Sequence, residues 1–196
     1  MPRPLIPDRR ERILDAAERL VLERGFDAMS IASVASAAGI GKGAVYLEFA
    51  SKRELLDAVL RRGTRRLRTR VDREIGPRPR LGAAYRAAIR ALLDDELMTA
   101  AFLDDRGVLG THVGTVDDDR YRRRQDEVVA WLRELQRSGR LAGSVDAEHL
   151  GLALSSATIG LLSAGRLLGP LSRAQLAGAI DTVAHMAASL ETDTVD

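Results

Sequence analysis

Apolar residues recur along this chain at spacings of three and four. No run alternates with the two-residue period of a half-buried strand, so the pattern predicts an all-α fold. Ile13, Ala16, Ala17, Leu20 and Val21 fall on one face of a first helix, with Asp8 and Glu11 at capping-box spacing before it and Gly25 expected as its left-handed stop. A short second helix is expected from Ser30, whose hydroxyl can cap it; Ile31, Val34, Ala35 and Ala38 form its buried stripe and Gly39 ends it. After the Gly39-Ile40-Gly41 link comes a third, with Val45, Tyr46 and Phe49 as apolar anchors and Lys42, Gly43, Ala44 and Leu47 facing away. Two short helices joined by so brief a turn form a helix-turn-helix. Ser51 and Glu54 make a second capping box before Leu55, Leu56, Val59 and Leu60, opening a fourth helix that runs through the 60s.

The stretch Gly76-Pro77-Arg78-Pro79-Arg80 interrupts the periodicity, because proline removes backbone donors and biases its preceding residue away from helix. A domain boundary is expected there. It separates a helix-turn-helix head, residues 1–55 continuing into a linking helix over 52–75, from a larger helical body over 76–196. In the body, helices are expected at about 80–103, 117–137, 146–168 and 172–190, with Asp117-Asp118-Asp119 as a helix start where acidic charge opposes the dipole.

Composition narrows the function classes. With 45% hydrophobic and 30% charged residues, the 196-residue chain has the make-up of a folded globular protein. It contains no uninterrupted apolar stretch of spanning length, and Met1-Pro2-Arg3-Pro4 lacks the apolar core of a signal peptide, so a cytoplasmic location without membrane association is expected. Without cysteine there is neither a disulfide framework nor a thiolate switch. His112, His149 and His185 lack the spacing of a local metal site, and nothing resembles a nucleophile with its base or a phosphate-binding glycine loop. Neither catalysis, nor a metal, nor a cofactor is expected. Net charge is +2, but residues 1–75 hold 16 Arg and Lys against 11 Asp and Glu, so the basic excess is N-terminal, as in a polyanion-binding head or an arginine-rich solvated surface.

In a helix-turn-helix the second helix enters the major groove while surrounding donors hold phosphates. Lys42 is placed to meet a phosphate or the acceptor edge of guanine, and Gly43 and Ala44 are small enough to let the backbone approach the bases. Tyr46 and Lys52 suit phosphate contacts, and Ser30 caps a helix whose N–H groups favour an anionic oxygen. Leu47 is read either as a contact to a thymine methyl or as an intrahelical contact; Glu48 either points away or meets a cytosine amino group. Arg61, Arg62, Arg65, Arg66, Arg68, Arg70 and Arg73 circle their helix, and the tail with Arg3 is either a minor-groove arm or a frayed end.

Four blocks in this region resemble the tetracycline-repressor (TetR) family in order and spacing. They are Arg12-Ile13-Leu14-Asp15-Ala16-Ala17, Glu23-Arg24-Gly25-Phe26, Ala38-Gly39-Ile40-Gly41-Lys42-Gly43-Ala44-Val45-Tyr46, and Phe49-Ala50-Ser51-Lys52-Arg53-Glu54-Leu55-Leu56. The resemblance covers about residues 9–60. It implies a three-helix DNA-binding head, a variable ligand-binding body, and a homodimer reading a palindromic operator. The chain departs from the family where serine or threonine is common at Gly41, threonine at Ala44, and histidine, tyrosine or tryptophan at Leu47 and Glu48.

In the body, helices rich in small residues are expected to pair two copies through Leu154, Thr158, Leu161, Leu162, Ile180, Val183, Ala187 and Leu190. An effector pocket is expected among Tyr85, Leu92, Met98, Phe102, Trp131, Leu132 and Met186. The functional expectation is a ligand-responsive regulator, a repressor released from its operator by a small molecule. The alternatives are an activator or corepressor-dependent regulator, and a helical small-molecule- or lipid-binding protein whose head no longer reads DNA.

Overall fold

The computed structural model describes residues 8–115 and 119–192; Arg3, Asp117 and Asp118 lie outside them. The described helices are α1 (Arg9–Ala28), α2 (Ile31–Ala38), α3 (Lys42–Glu48), α4 (Lys52–Ile75), α5 (Leu81–Leu93), α6 (Glu96–Phe102), α7 (Arg106–Leu109), α8 (Asp119–Arg137), α9 (Ala147–Leu167) and α10 (Arg173–Ala188), with a 3-10 turn at Gly110–Thr115. Among the described residues there is no strand, only an isolated bridge between Leu141 and Glu191.

The chain forms two compact units: a head of residues 8–66 with 96–115, and a body of residues 67–95 with 119–192. This division differs from a cut at Gly76, because the segment 96–115 packs back onto the head. Its Leu97, Ala101 and Leu109 join one core with Ile13, Ala17 and Val21 of α1, Val34 of α2, Val45 of α3, and Leu55 and Val59 of α4. Burying each large apolar side chain there contributes about 1.5–3 kcal/mol. Close approach is built in: a Cβ on Gly63 of α4 would lie 2.4 Å from Met98 Sδ of α6.

Several local expectations change in the head. Asp8 sits in the left-handed region (φ 59°, ψ 24°) and makes no side-chain cap, while the Glu11 carboxylate accepts from Arg62 instead. Gly25 does not adopt the left-handed stop; at φ 76° and ψ 160° it kinks the helix, which continues to Ala28 before the extended Met29 ends it. Ser30 does cap α2. Its Oγ accepts from Ser33 N–H at 3.0 Å, and Ser33 Oγ accepts in turn from Ser30 N–H at 3.0 Å. Loss of this cap in Ser30→Ala is expected to cost about 1 kcal/mol in urea denaturation. A denaturation midpoint equal to wild type would show that the cap contributes nothing.

The single helix expected at 80–103 is two helices. α5 stops at the adjacent acids Asp94 and Asp95, Asp94 being paired with Arg70, and α6 belongs to the head. The body is held by α5 against α10, where a Cβ on Gly82 would lie 2.5 Å from Ala184 O, and by α8 against α9. Asp181 of α10 accepts from Arg86 at 2.8 Å and Arg90 at 2.9 Å. α9 has the length and mean hydropathy (1.3) of a membrane span although Ser, Thr and Gly interrupt it; only 17% of that stretch is buried.

Candidate nucleic-acid interface

Gly39, at φ 66° and ψ 36°, turns the chain out of α2, and Gly41 leads it into α3. The buried side of α3 is Val45, followed by Phe49 at its end; both are fully packed in the head core. Its other side carries Lys42, Gly43, Tyr46 and Leu47 into solvent, with Ala44 half-buried. Tyr46 is 49% and Leu47 78% exposed, so Tyr46 is a surface residue and not the core anchor expected from periodicity. Lys42 Nζ lies 5.9 Å from the centre of the Tyr46 ring, which holds the cation near the middle of this face. A Cβ on Gly43 would meet nothing within 4 Å, so packing does not demand glycine there.

The remaining expected contacts are partly committed. Ser30 Oγ is engaged in its cap. Lys52 Nζ donates to Asp27 O at 3.0 Å and stacks 4.3 Å from the centre of the Phe26 ring, tying the start of α4 to the end of α1. Behind it, the Asp27 carboxylate accepts from Thr111 Oγ1 at 2.6 Å and Thr111 N–H at 3.1 Å. Those bonds hold the Asp27 carboxyl below its ordinary range. A Cβ on Gly110 would strike that carboxylate at 2.3 Å, so the 3-10 turn seats there only because residue 110 has no side chain.

Glu48 is engaged within the head. Its carboxylate accepts from Arg9 Nε at 2.9 Å and from Arg10 Nη1 at 3.3 Å, while the Arg10 guanidinium lies 4.5 Å from the centre of the Phe49 ring. These contacts tie the end of α3 to the start of α1, and Arg12 Nη2 ties α1 to Ala38 O at 2.6 Å. The hydrogen bond from Arg9 holds the Glu48 carboxyl below its usual value of 4.5. A depressed carboxylate stabilises the fold above the unfolded pKa and loses that contribution as pH falls through the folded one. Glu48→Gln is therefore expected to melt below wild type near pH 7 and to converge with it below about pH 4. Equal melting temperatures at neutral pH would remove the tie from the account.

Of the arginine cluster on α4, Arg62 turns onto α1 with the carboxylates of Asp15 (2.7 Å) and Glu18 (2.6 Å), and Arg66 joins it at Glu18 (2.9 Å). The cluster is thus partly structural. Sequence reasoning missed His112, which is buried in the head with Nε2 3.2 Å from Asp57 Oδ1 and its ring 5.3 Å from that of Phe26. Only its position next to the apolar Val113 and Leu109 hinted at burial.

The residues expected to line one pocket fall in both units. Met98 and Phe102 belong to the head. Tyr85, Leu92, Trp131 and Leu132 are packed in two body cores, with burial raising the Tyr85 pKa, and Met186 is 64% exposed. The residues of the expected pairing face differ in exposure. Thr158, Ile180 and Ala187 are buried within the protomer, and Leu154, Leu161, Val183 and Leu190 pack against its cores, with Leu162 half-buried. The outward residues are their helical neighbours Leu152, Ile159 and Met186, along with Leu167 and Leu168.

Residues 13–59 match the sequence profile of bacterial regulatory proteins of the tetR family. The chain is 31% identical over 104 residues to the HTH-type transcriptional repressor KstR2 of Mycobacterium tuberculosis, a match covering 51% of this chain and 52% of that protein. It thus spans about half the length of that relative. By fold, it superposes on a TetR-family transcriptional regulator from Rhodococcus sp. with a TM-score of 0.71 at 18% identity, covering 93% of this chain and 99% of that one. It also superposes on the transcriptional regulator FadR from Bacillus subtilis in complex with stearoyl-CoA, with a TM-score of 0.68 at 15% identity, covering 91% and 97%. The profile match falls on the segment that builds α1, α2, α3 and the start of α4, so it is this helix-turn-helix segment that is similar to bacterial regulatory proteins of the tetR family.

Proposed function

We propose that the protein is a dimeric transcriptional repressor that holds a palindromic operator through two copies of α3 and releases it when a small molecule binds the body. The observation that carries this reading is the division of α3 into a face locked in the head core by Val45 and a solvent face of Lys42, Gly43, Tyr46 and Leu47. A seven-residue helix with that division is held rigidly enough to be inserted into a groove, while donors around it hold phosphates.

Two features of the body support the rest. Leu152 and Ile159 of α9 and Met186 of α10 are exposed on helices whose Gly160 and Gly178 face open space. A second copy of the chain would cover such an apolar, closely approachable face, and twofold pairing through it duplicates the head. A cleft of about 470 Å³ lies within the body, lined by Arg70 and Glu74 of α4, Arg90 and Leu93 of α5, and Arg173 and Leu176 of α10. Asp94 also lines it and pairs with Arg70, and Arg90 is held by Asp181, so it is Arg173 together with the leucines that suits an effector joining an acidic group to an apolar part. α4 runs unbroken from Lys52 to Ile75, about 36 Å, so displacement of Arg70 or Glu74 reaches the residue that follows the helix-turn-helix. Effector binding then favours a population in which the operator is held less tightly.

The test is a salt titration of the full-length protein on DNA flanking its own coding region and on unrelated DNA. Binding to the flanking DNA is expected to persist at salt concentrations where binding to unrelated DNA has faded. Equal decay on both would contradict specific recognition.

A further inference from the structure

We infer that Leu47 reads the 5-methyl group of thymine, so that each operator half-site holds a thymine recognised through its methyl. This rests on the DNA-binding reading and specifies how that site discriminates. Among the described residues of the head, only two large apolar side chains are exposed, and they are adjacent: Tyr46 and Leu47 of α3. Every other large apolar side chain described in that unit is buried or half-buried, so the 78% exposure of Leu47 does not reflect a loosely built domain.

Around Leu47 the means of hydrogen-bonded readout are few. Glu48 is held by Arg9 and Arg10, and the Ser30 hydroxyl is held in its cap. On the outer face of α3 only Lys42 and Tyr46 end in polar groups. Gly43, with open space where its Cβ would be, lets the helix come close to the base edges without a side chain between. In the major groove, the apolar group a base presents is the thymine methyl, and it discriminates T·A from every other pair by contact alone. A leucine one residue from the tyrosine that neighbours Lys42 is placed for that contact and offers no hydrogen bond to any other base.

The experiment begins with the full-length protein selecting its operator from random-sequence duplexes. Each thymine of the selected site is then replaced singly by deoxyuridine, which removes the methyl and leaves the pairing edge intact. Wild type is expected to lose about fourfold in affinity at one thymine per half-site, the effect of one methyl-sized group leaving an apolar contact, with little change at the others. Leu47→Ala, at an exposed position that the core does not use, is expected to fold normally, bind the thymine operator more weakly, and bind thymine and uracil forms of that position alike. If no uracil substitution weakens wild type, or if Leu47→Ala keeps the same discrimination, this inference fails while the operator itself still stands. If selection enriches no sequence at all, the DNA-binding reading fails and this one with it.

Discussion

Replacing Lys42 by alanine is expected to weaken operator binding by roughly 30-fold or more, from about 1–3 kcal/mol lost at each of two heads. Its ammonium lies beside the Tyr46 ring at the centre of the exposed face of α3, makes no ion pair with a carboxylate among the described residues, and takes no part in the core. The loss is therefore expected without a change in melting temperature. The two roles left open by sequence separate in the same experiment. If Lys42 holds a phosphate, affinity falls equally on all sequences and the salt slope flattens by about 0.9 per head. If it reads guanine, the loss is concentrated on the operator and base preference relaxes at one position. Lys52 is expected to behave differently, since its ammonium is shared with Asp27 O and the Phe26 ring. Unchanged operator affinity in Lys42→Ala would remove the central cation from the interface.

The second large effect is on stability. Gly25→Ala is expected to destabilise the head by roughly 2–6 kcal/mol, combining about 1–3 kcal/mol of backbone strain with about 1–3 kcal/mol of overpacking. The backbone there, φ 76° and ψ 160°, is a conformation essentially reserved for glycine, and a Cβ would stand 2.8 Å from Gly107 O, a backbone atom with little room to retreat. The kink directs Phe26 and Met29 into the core and presents Asp27 to Thr111, so the substitution disturbs the seat of α7 and the 3-10 turn together. Gly43→Ala is the matched control: it removes a glycine from a helix where nothing lies within 4 Å, so stability is expected to hold or rise. Urea denaturation of both variants decides the point. Equal midpoints for Gly25→Ala and wild type would mean that the kink is not required.

Much of the head is legible in sequence because its determinants are local. The Ser30 cap, the left-handed Gly39, and the Ser51 hydroxyl accepting from Glu54 N–H all follow from residues within four positions of one another. Even there the details shift: Glu54 accepts from Ala50 N–H, one residue before the expected cap, and a tertiary contact intervenes where Arg62, 51 residues from Glu11, takes the carboxylate that the Asp8 and Glu11 spacing assigned to a cap. Non-local partners account for the larger departures. The return of 96–115 to the head depends on Asp27 meeting Thr111 across 84 residues, and the role of Glu48 on Arg9 and Arg10 across 39 and 38. No periodicity encodes such pairings. In α9 and α10 the difficulty is one of phase. Small residues populate every face, so the pattern does not say whether Thr158 or Ile159 points inward, and the apolar side chains that remain exposed are one step around the helix from those expected.

Operator recognition depends most directly on two heads engaging one duplex through α3. A hydroxyl-radical footprint of the full-length protein on its selected operator measures this. Two protected patches related by a dyad and centred about one helical turn apart, 10–10.5 base pairs, are expected, both fading in Lys42→Ala. A single unsymmetrical patch, or protection that survives unchanged in that variant, would contradict it.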